Sequence, residues 1–200
     1  MDSREILENL KTSKPQSLKN LPGTFGIYAL WDHDKNIRYI GCTPKATEGF
    51  NVRVGNKHVT GSEGSSHKFS QAYCTARMWR YCKKLDPSSA LSAQDSNDAK
   101  LAKKLRTLFI RRHCRVTYVE ISAEDGHGNY FSFLTNLESG VRALVPSSMQ
   151  LWEGIRFSSM EEPTFLVNEL LEENPLLKDA AERQAIIYRE HVKHGKSAIA

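Results

Sequence analysis

No apolar run in this 200-residue chain approaches the roughly 20 residues that a membrane helix needs. Met1 to Leu21 is polar and charged, with no apolar central segment, so no secretory leader is expected and a reducing, cytoplasmic setting is. The four cysteines have no close pairing and read as free thiols, not as a disulfide frame. Cys74, Cys82, Cys114 and His113 lack the paired spacing of zinc-finger ligands. No internal repeat is visible. What remains is an ordinary globular composition, 40% hydrophobic and 26% charged, in a chain long enough for one domain with an appendage.

The formal charge of +5 is unevenly spread. Arg77 to Arg115 carries net +8, and Glu161 to Glu190 carries net −5. Such polarity predicts a basic face for a polyanion and an acidic tail held away from it. Arg77, Arg80, Lys83, Lys84, Lys100, Lys103, Lys104, Arg111 and Arg112 are the candidate DNA contacts. The plain alternative is a pair of solvated helix faces.

Local patterning predicts an α+β domain. Phe25–Trp31 and Ile37–Cys42 are rich in aromatic and β-branched residues, as strands are, and Asp32–Asn36 is turn chemistry. Helical spacing covers His67–Leu85, Ala99–His113 and Tyr130–Val145, and Cys114–Ile121 alternates as a third strand. Two acidic helices close the chain, near Pro163–Glu173 and Leu176–His194. The expected parts are an N-terminal helix and linker over 1–22 and a domain over 23–151 with a basic helical insertion near 62–113. An acidic helical extension follows over 152–200.

With Asp34-Lys35 as the hairpin tip, Tyr28 opposes Gly41 and Tyr39 opposes Leu30. Residues opposite one another share a face of the sheet, so the two tyrosines become diagonal neighbours there. Gly41 leaves the Tyr28 hydroxyl uncovered by a side chain.

Gly26-Ile27-Tyr28 and Tyr39-Ile40-Gly41, ten residues apart, resemble the signature of the GIY-YIG nuclease superfamily. The resemblance covers about residues 25–151. It implies a small three-stranded antiparallel sheet flanked by helices and metal-dependent endonucleolytic cleavage of DNA. It also implies an arginine and a histidine after the second strand, and a glutamate on the helix after the third. Arg53, His58 and Glu138 stand in those places. Arg53 and His58 are five apart where the family often has four, so Lys57 rivals His58 for proton transfer. The family's asparagine is missing, and Gln150 is the substitute offered.

The chemistry suits these residue types. Glu138 would hold one Mg²⁺ or Mn²⁺, which polarises the phosphate and stabilises the leaving oxygen. Arg53 would grip phosphate oxygens. Tyr28 would take a proton from the attacking water, given a lowered pKa, and Tyr39 would orient water or phosphate. A restriction-type enzyme cutting both strands would need a homodimer or two successive nicks. The alternative is a catalytically inactive DNA- or RNA-binding module on the same fold.

Overall fold

The computed structural model describes residues 1–81, 97–123 and 129–193. Among the described residues there are three strands, β1 (Gly26–Trp31), β2 (Ile37–Cys42) and β3 (Arg115–Glu120). They form one antiparallel sheet in the order β2-β1-β3. The helices are α1 (Ser3–Thr12), α2 (Lys68–Ala72), α3 (Asn97–His113), α4 (Tyr130–Leu144), α5 (Thr164–Glu173) and α6 (Lys178–Lys193). A π-helix spans Asn51–His58. The fold is α+β, as the patterning predicts. Contacts divide the chain into two units, residues 1–57 with 113–157 and residues 58–112 with 158–200.

The first unit carries the sheet. Asp2 and Glu5 start α1 with a capping box, each side chain satisfying the other's backbone N–H. Ile27, Ala29, Ile40 and Cys42 lie on one face of the sheet and pack against Ile6 and Leu10 of α1 and Leu134 and Val141 of α4. This is period-two alternation with one face buried under two helices. The other face carries Tyr28, Leu30, Tyr39 and Gly41. Phe50, just before the π-helix, covers it, meeting Tyr28 edge-on at 6.3 Å and Tyr118 at 4.7 Å between ring centroids. A Cβ on Gly49 would sit 2.2 Å from the Gly23 carbonyl oxygen, so only glycine allows this close crossing.

The hairpin differs from expectation at its tip. The pairing has the expected register from Ile27↔Cys42 to Leu30↔Tyr39, then shifts so that Trp31 opposes Ile37. A five-residue connection, Asp32–Asn36, replaces the two-residue turn, and the bulge absorbs the difference. Buried Asp32 organises it. One carboxylate oxygen accepts from the backbone N–H of Asp34 and of Asn36, and the other from Arg38 Nε.

In the second unit the expected helix from His67 to Leu85 stops at Ala72. Met160 N–H takes the Ala72 carbonyl, Thr75 is extended, and Ala76 adopts a φ of 42°. Phe69, Tyr73 and Trp79 are all buried, so the helical spacing reflected core residues on an irregular backbone. Residues 82–85 of that helix and 86–96 of the expected linker lie outside the described residues, as does the turn over 125–128. The basic insertion and the acidic tail build this unit together. Arg77 donates to Glu162 and Asn168, Arg112 pairs with Glu173, and Arg183 pairs with Asp98. The charge asymmetry is therefore partly internal pairing, which corrects the reading of a tail held apart. Among the described residues, no helix is long and apolar enough to cross a membrane.

Candidate active site

Tyr28 opposes Gly41 and Tyr39 opposes Leu30 across the hairpin. The two phenol rings share a face, with centroids 6.2 Å apart and planes tilted by 39°. A Cβ on Gly41 would lie 2.6 Å from the Tyr28 hydroxyl and 2.6 Å from a Tyr39 ring carbon. The glycine is required by contact, since the phenols themselves fill the space above it. Tyr28 is fully buried and Tyr39 nearly so, which corrects the expectation that the Tyr28 hydroxyl stands uncovered.

Burial shapes their acidity. It pushes the Tyr28 hydroxyl well above the usual phenol range, and Tyr39 beside it adds to the rise. Arg53 works against this, both through its charge and through a hydrogen bond to the Tyr28 hydroxyl, and does not cancel it. Tyr39 is raised likewise, by burial first and then by the charges of Glu138 and Glu153. Tyr28 at rest is thus a neutral phenol, and the lowered pKa expected of a ready base is absent.

Arg53 reaches Tyr28 from the π-helix. In such a helix hydrogen bonds join residues five apart, so the four-residue rule that set Lys57 against His58 does not apply here. The Arg53 side chain is 15% exposed, and its Nε is buried without a hydrogen-bond partner. Burial opposes its charge, and the neighbouring phenols and Glu48 more than offset that, raising its pKa. Glu48 was missed in the sequence. It is a buried acid whose Oε1 accepts from Lys57 Nζ at 2.7 Å and whose Oε2 lies 3.8 Å from Arg53 Nη1. Its position five residues before Arg53 has no periodic signal attached to it. His58 opens the second unit. It is fully buried, and its Nδ1 accepts from the Lys68 backbone N–H, which removes that nitrogen from any shuttle.

Glu138 stands on α4 one turn from both Leu134 and Val141, with its side chain 14% exposed. It accepts from the Cys42 thiol of β2, and its charge makes both tyrosines weaker acids. Burial, reinforced by that carboxylate, pushes the Cys42 thiol far up, so this cysteine is an inert donor. Arg142 Nη1 lies 3.5 Å from Glu138, and Arg142 Nη2 lies 3.2 Å from Glu153. The donor chemistry fits a hard dication. Glu138 offers a carboxylate at the site's exposed margin, and Mg²⁺ commonly takes one or two such ligands and keeps water for the rest. Among the described residues no group of three or more His, Cys, Asp or Glu gathers, so the protein's share of such a site would be Glu138 itself. Gln150 is otherwise engaged. Its amide donates to the Arg142 and Val145 carbonyls at the end of α4.

The candidate DNA contacts divide sharply. Lys100, Lys104 and Arg111 are exposed along one stripe of α3. Arg112 is exposed but paired with Glu173. Lys103 is half-buried, and burial lowers its pKa. Arg80 lies 3.9 Å from buried Glu63. Arg77 is 10% exposed and held by Glu162, Asn168 and the Thr164 carbonyl, so it is a structural residue and leaves the list of phosphate contacts. Lys83 and Lys84 lie outside the described residues.

No protein-family model, no curated protein and no solved structure matches the chain.

Proposed function

We propose that the first unit hydrolyses DNA phosphodiester bonds as a metal-dependent endonuclease of the GIY-YIG type. One observation carries the reading, the hydrogen bond between Arg53 and a Tyr28 phenol that shares its face with Tyr39 and feels the charge of Glu138. A buried cation, two phenols and a carboxylate make a site for a charged substrate whose negative charge is redistributed during reaction.

Hydrolysis adds water across a P–O bond. The hydroxyl goes to phosphorus, and the proton ends on the leaving oxygen. Arg53 has a donor to spare in its unpaired Nε and grips the phosphate. Tyr28 accepts from Arg53 and acts as a relay. It takes the water's proton as it releases its own to a phosphate oxygen, from which a proton passes to the leaving oxygen, and so it never stands as a free phenolate. Tyr39 orients the water. Glu138 would hold the Mg²⁺ or Mn²⁺, and the bound ion would supply Lewis-acid stabilisation of the leaving oxygen. Glu48 helps keep Arg53 charged and holds Lys57 in place. Lys100, Lys104 and Arg111 contribute sequence-independent attraction to the phosphate backbone.

The covered Tyr28 favours a second reading, an inactive DNA- or RNA-binding module, because substrate must displace protein atoms to reach that hydroxyl. Plasmid nicking in Mg²⁺ or Mn²⁺ separates the two. Wild type should nick, while Glu138→Gln and Tyr28→Phe should fold and lose cleavage. The double variant should lose no more than the singles, because both residues serve one transition state. Near-wild-type cleavage by Glu138→Gln would remove the metal assignment. A wild type inert toward all substrates and metals would leave the binding module.

A further inference from the structure

We propose that a cleft at the hairpin end of the first unit binds an unpaired nucleotide, stacking its base on Trp31 and holding its phosphate with Lys11 and Lys35. This rests on the nucleic-acid reading above and names the part of the polymer that the protein grips away from the tyrosines.

The cleft has a volume of about 300 Å³. That is the small end of the range for ligand sites, roughly 300–1,000 Å³. Its lining includes the cations Lys11, Lys35 and Arg38 and no carboxylate. Buried Asp32 already answers Arg38. Lys11 and Lys35 have no carboxylate partner among the described residues, so the cleft presents two uncompensated ammonium groups. The cavity of about 380 Å³ in the second unit has two acids and two bases in its lining, and its Arg77 is already committed. It offers an anion no comparable attraction.

Trp31 supplies the second half of the chemistry. Its Nε1–H donates to Thr117 Oγ1 at 2.9 Å, and the ring packs against the core, so the indole plane is fixed while part of it faces outward. Met149 lines the same cleft as an adaptable apolar wall. A flat aromatic surface beside free cations suits a base joined to a phosphate, whereas a simple anion would need only the cations.

The loop is built in advance of binding. Asp32 ties the backbone of Asp34 and Asn36, and the Asp32 N–H donates to the Asn36 carbonyl. Lys35 has a φ of 65°, a left-handed conformation that glycine or asparagine adopts more easily. A lysine there keeps strain that glycine would relieve, and what it adds is an ammonium group at the mouth of the cleft.

That strain gives a decisive variant. Lys35→Gly should leave thermal stability equal or higher while weakening nucleotide binding. Trp31→Leu should weaken it by roughly fivefold to a hundredfold, the scale of one lost base stack. Binding is read with chelator present, which stops metal-dependent cleavage, using a short single-stranded oligo-dT, dAMP, a blunt duplex and inorganic phosphate. Trp79 and Trp152 are 1% and 0% exposed, so a change in accessible tryptophan emission reports on Trp31. Oligo-dT and dAMP should change that emission, and inorganic phosphate should not. Unchanged emission with oligo-dT, wild-type affinity in Lys35→Gly, or phosphate competing as well as dAMP would each overturn the proposal. The outcomes separate from the nuclease reading. Binding at Trp31 by a chain that never nicks plasmid leaves this site and removes the nuclease, and nicking without binding at Trp31 does the reverse.

Discussion

Glu48 holds the Lys57 ammonium at 2.7 Å from a position almost sealed against water. The hydrogen bond to Lys57 keeps the Glu48 carboxyl below its ordinary value of 4.5, opposing the cost of burial, and Arg53 and Lys45 add to the effect. A carboxyl whose folded pKa is depressed stabilises the fold above its unfolded pKa and loses that stabilisation as pH falls through the folded value. Wild type should therefore gain stability over Glu48→Gln above about pH 4.5, and the two should converge in more acidic solution. Urea unfolding on both sides of that pH checks it. Parallel curves would show that Glu48 does no electrostatic work.

Gly41 touches both phenols. A methyl group there would meet the Tyr28 hydroxyl and the Tyr39 ring at 2.6 Å, against side chains that are both buried. Gly41→Ala should destabilise the fold by about 1–3 kcal/mol, the usual cost of overpacking. Chemical denaturation measures it. A neutral result would mean that the tyrosine layer yields easily, and the preorganised site would lose its support.

Charge on α3 is of two kinds. Lys100 and Lys104 are exposed, so reversing both should change stability by less than about 0.5 kcal/mol each. If they meet phosphates, the salt dependence of DNA binding should flatten by roughly one unit per lost contact. Arg106 is fully buried, paired with Glu63 and donating to the Met78 carbonyl. Arg106→Ala should cost about 3–5 kcal/mol, because it removes the nearest partner of buried Glu63 and leaves only the more distant Arg80 to answer it. Salt-titrated binding and melting of both variants distinguish the roles. An unchanged salt slope after the double reversal would return the lysines to a solvated face.

The site was partly legible because its first components are local. Tyr28, Tyr39 and Gly41 fall within one hairpin, where strand alternation sets which side chains meet. The bulge at Trp31 changed the tip but left that register intact. Glu138 was named through the family resemblance, which expects a glutamate on the helix after the third strand; the helix pattern alone would have left it a solvated edge residue. Glu48 was not legible, since an acid in a Gly-, Lys- and Thr-rich connection looks like a solvated one until Arg53 and Lys57 close around it. A short helix near Arg53 to Val59 was allowed by the sequence, but its π register over Asn51–His58 was hidden for a similar reason. Its hydrogen bonds follow the seating of Gly49 on Gly23 and the burial of Phe50 and Val54 more than any preference of the segment itself.

By itself, the sequence determined what periodicity and turn chemistry act on within about a dozen residues: three strands, the tyrosine register and most of the helices. Tertiary structure alone decided which charges are free. Arg77 and Glu162, or Asp98 and Arg183, stand 85 residues apart and meet only in the folded second unit. It also decided how weak an acid Tyr28 is, because a phenol's acidity follows the water and charge around it, and those are set by burial and by Tyr39 and Arg53 after folding.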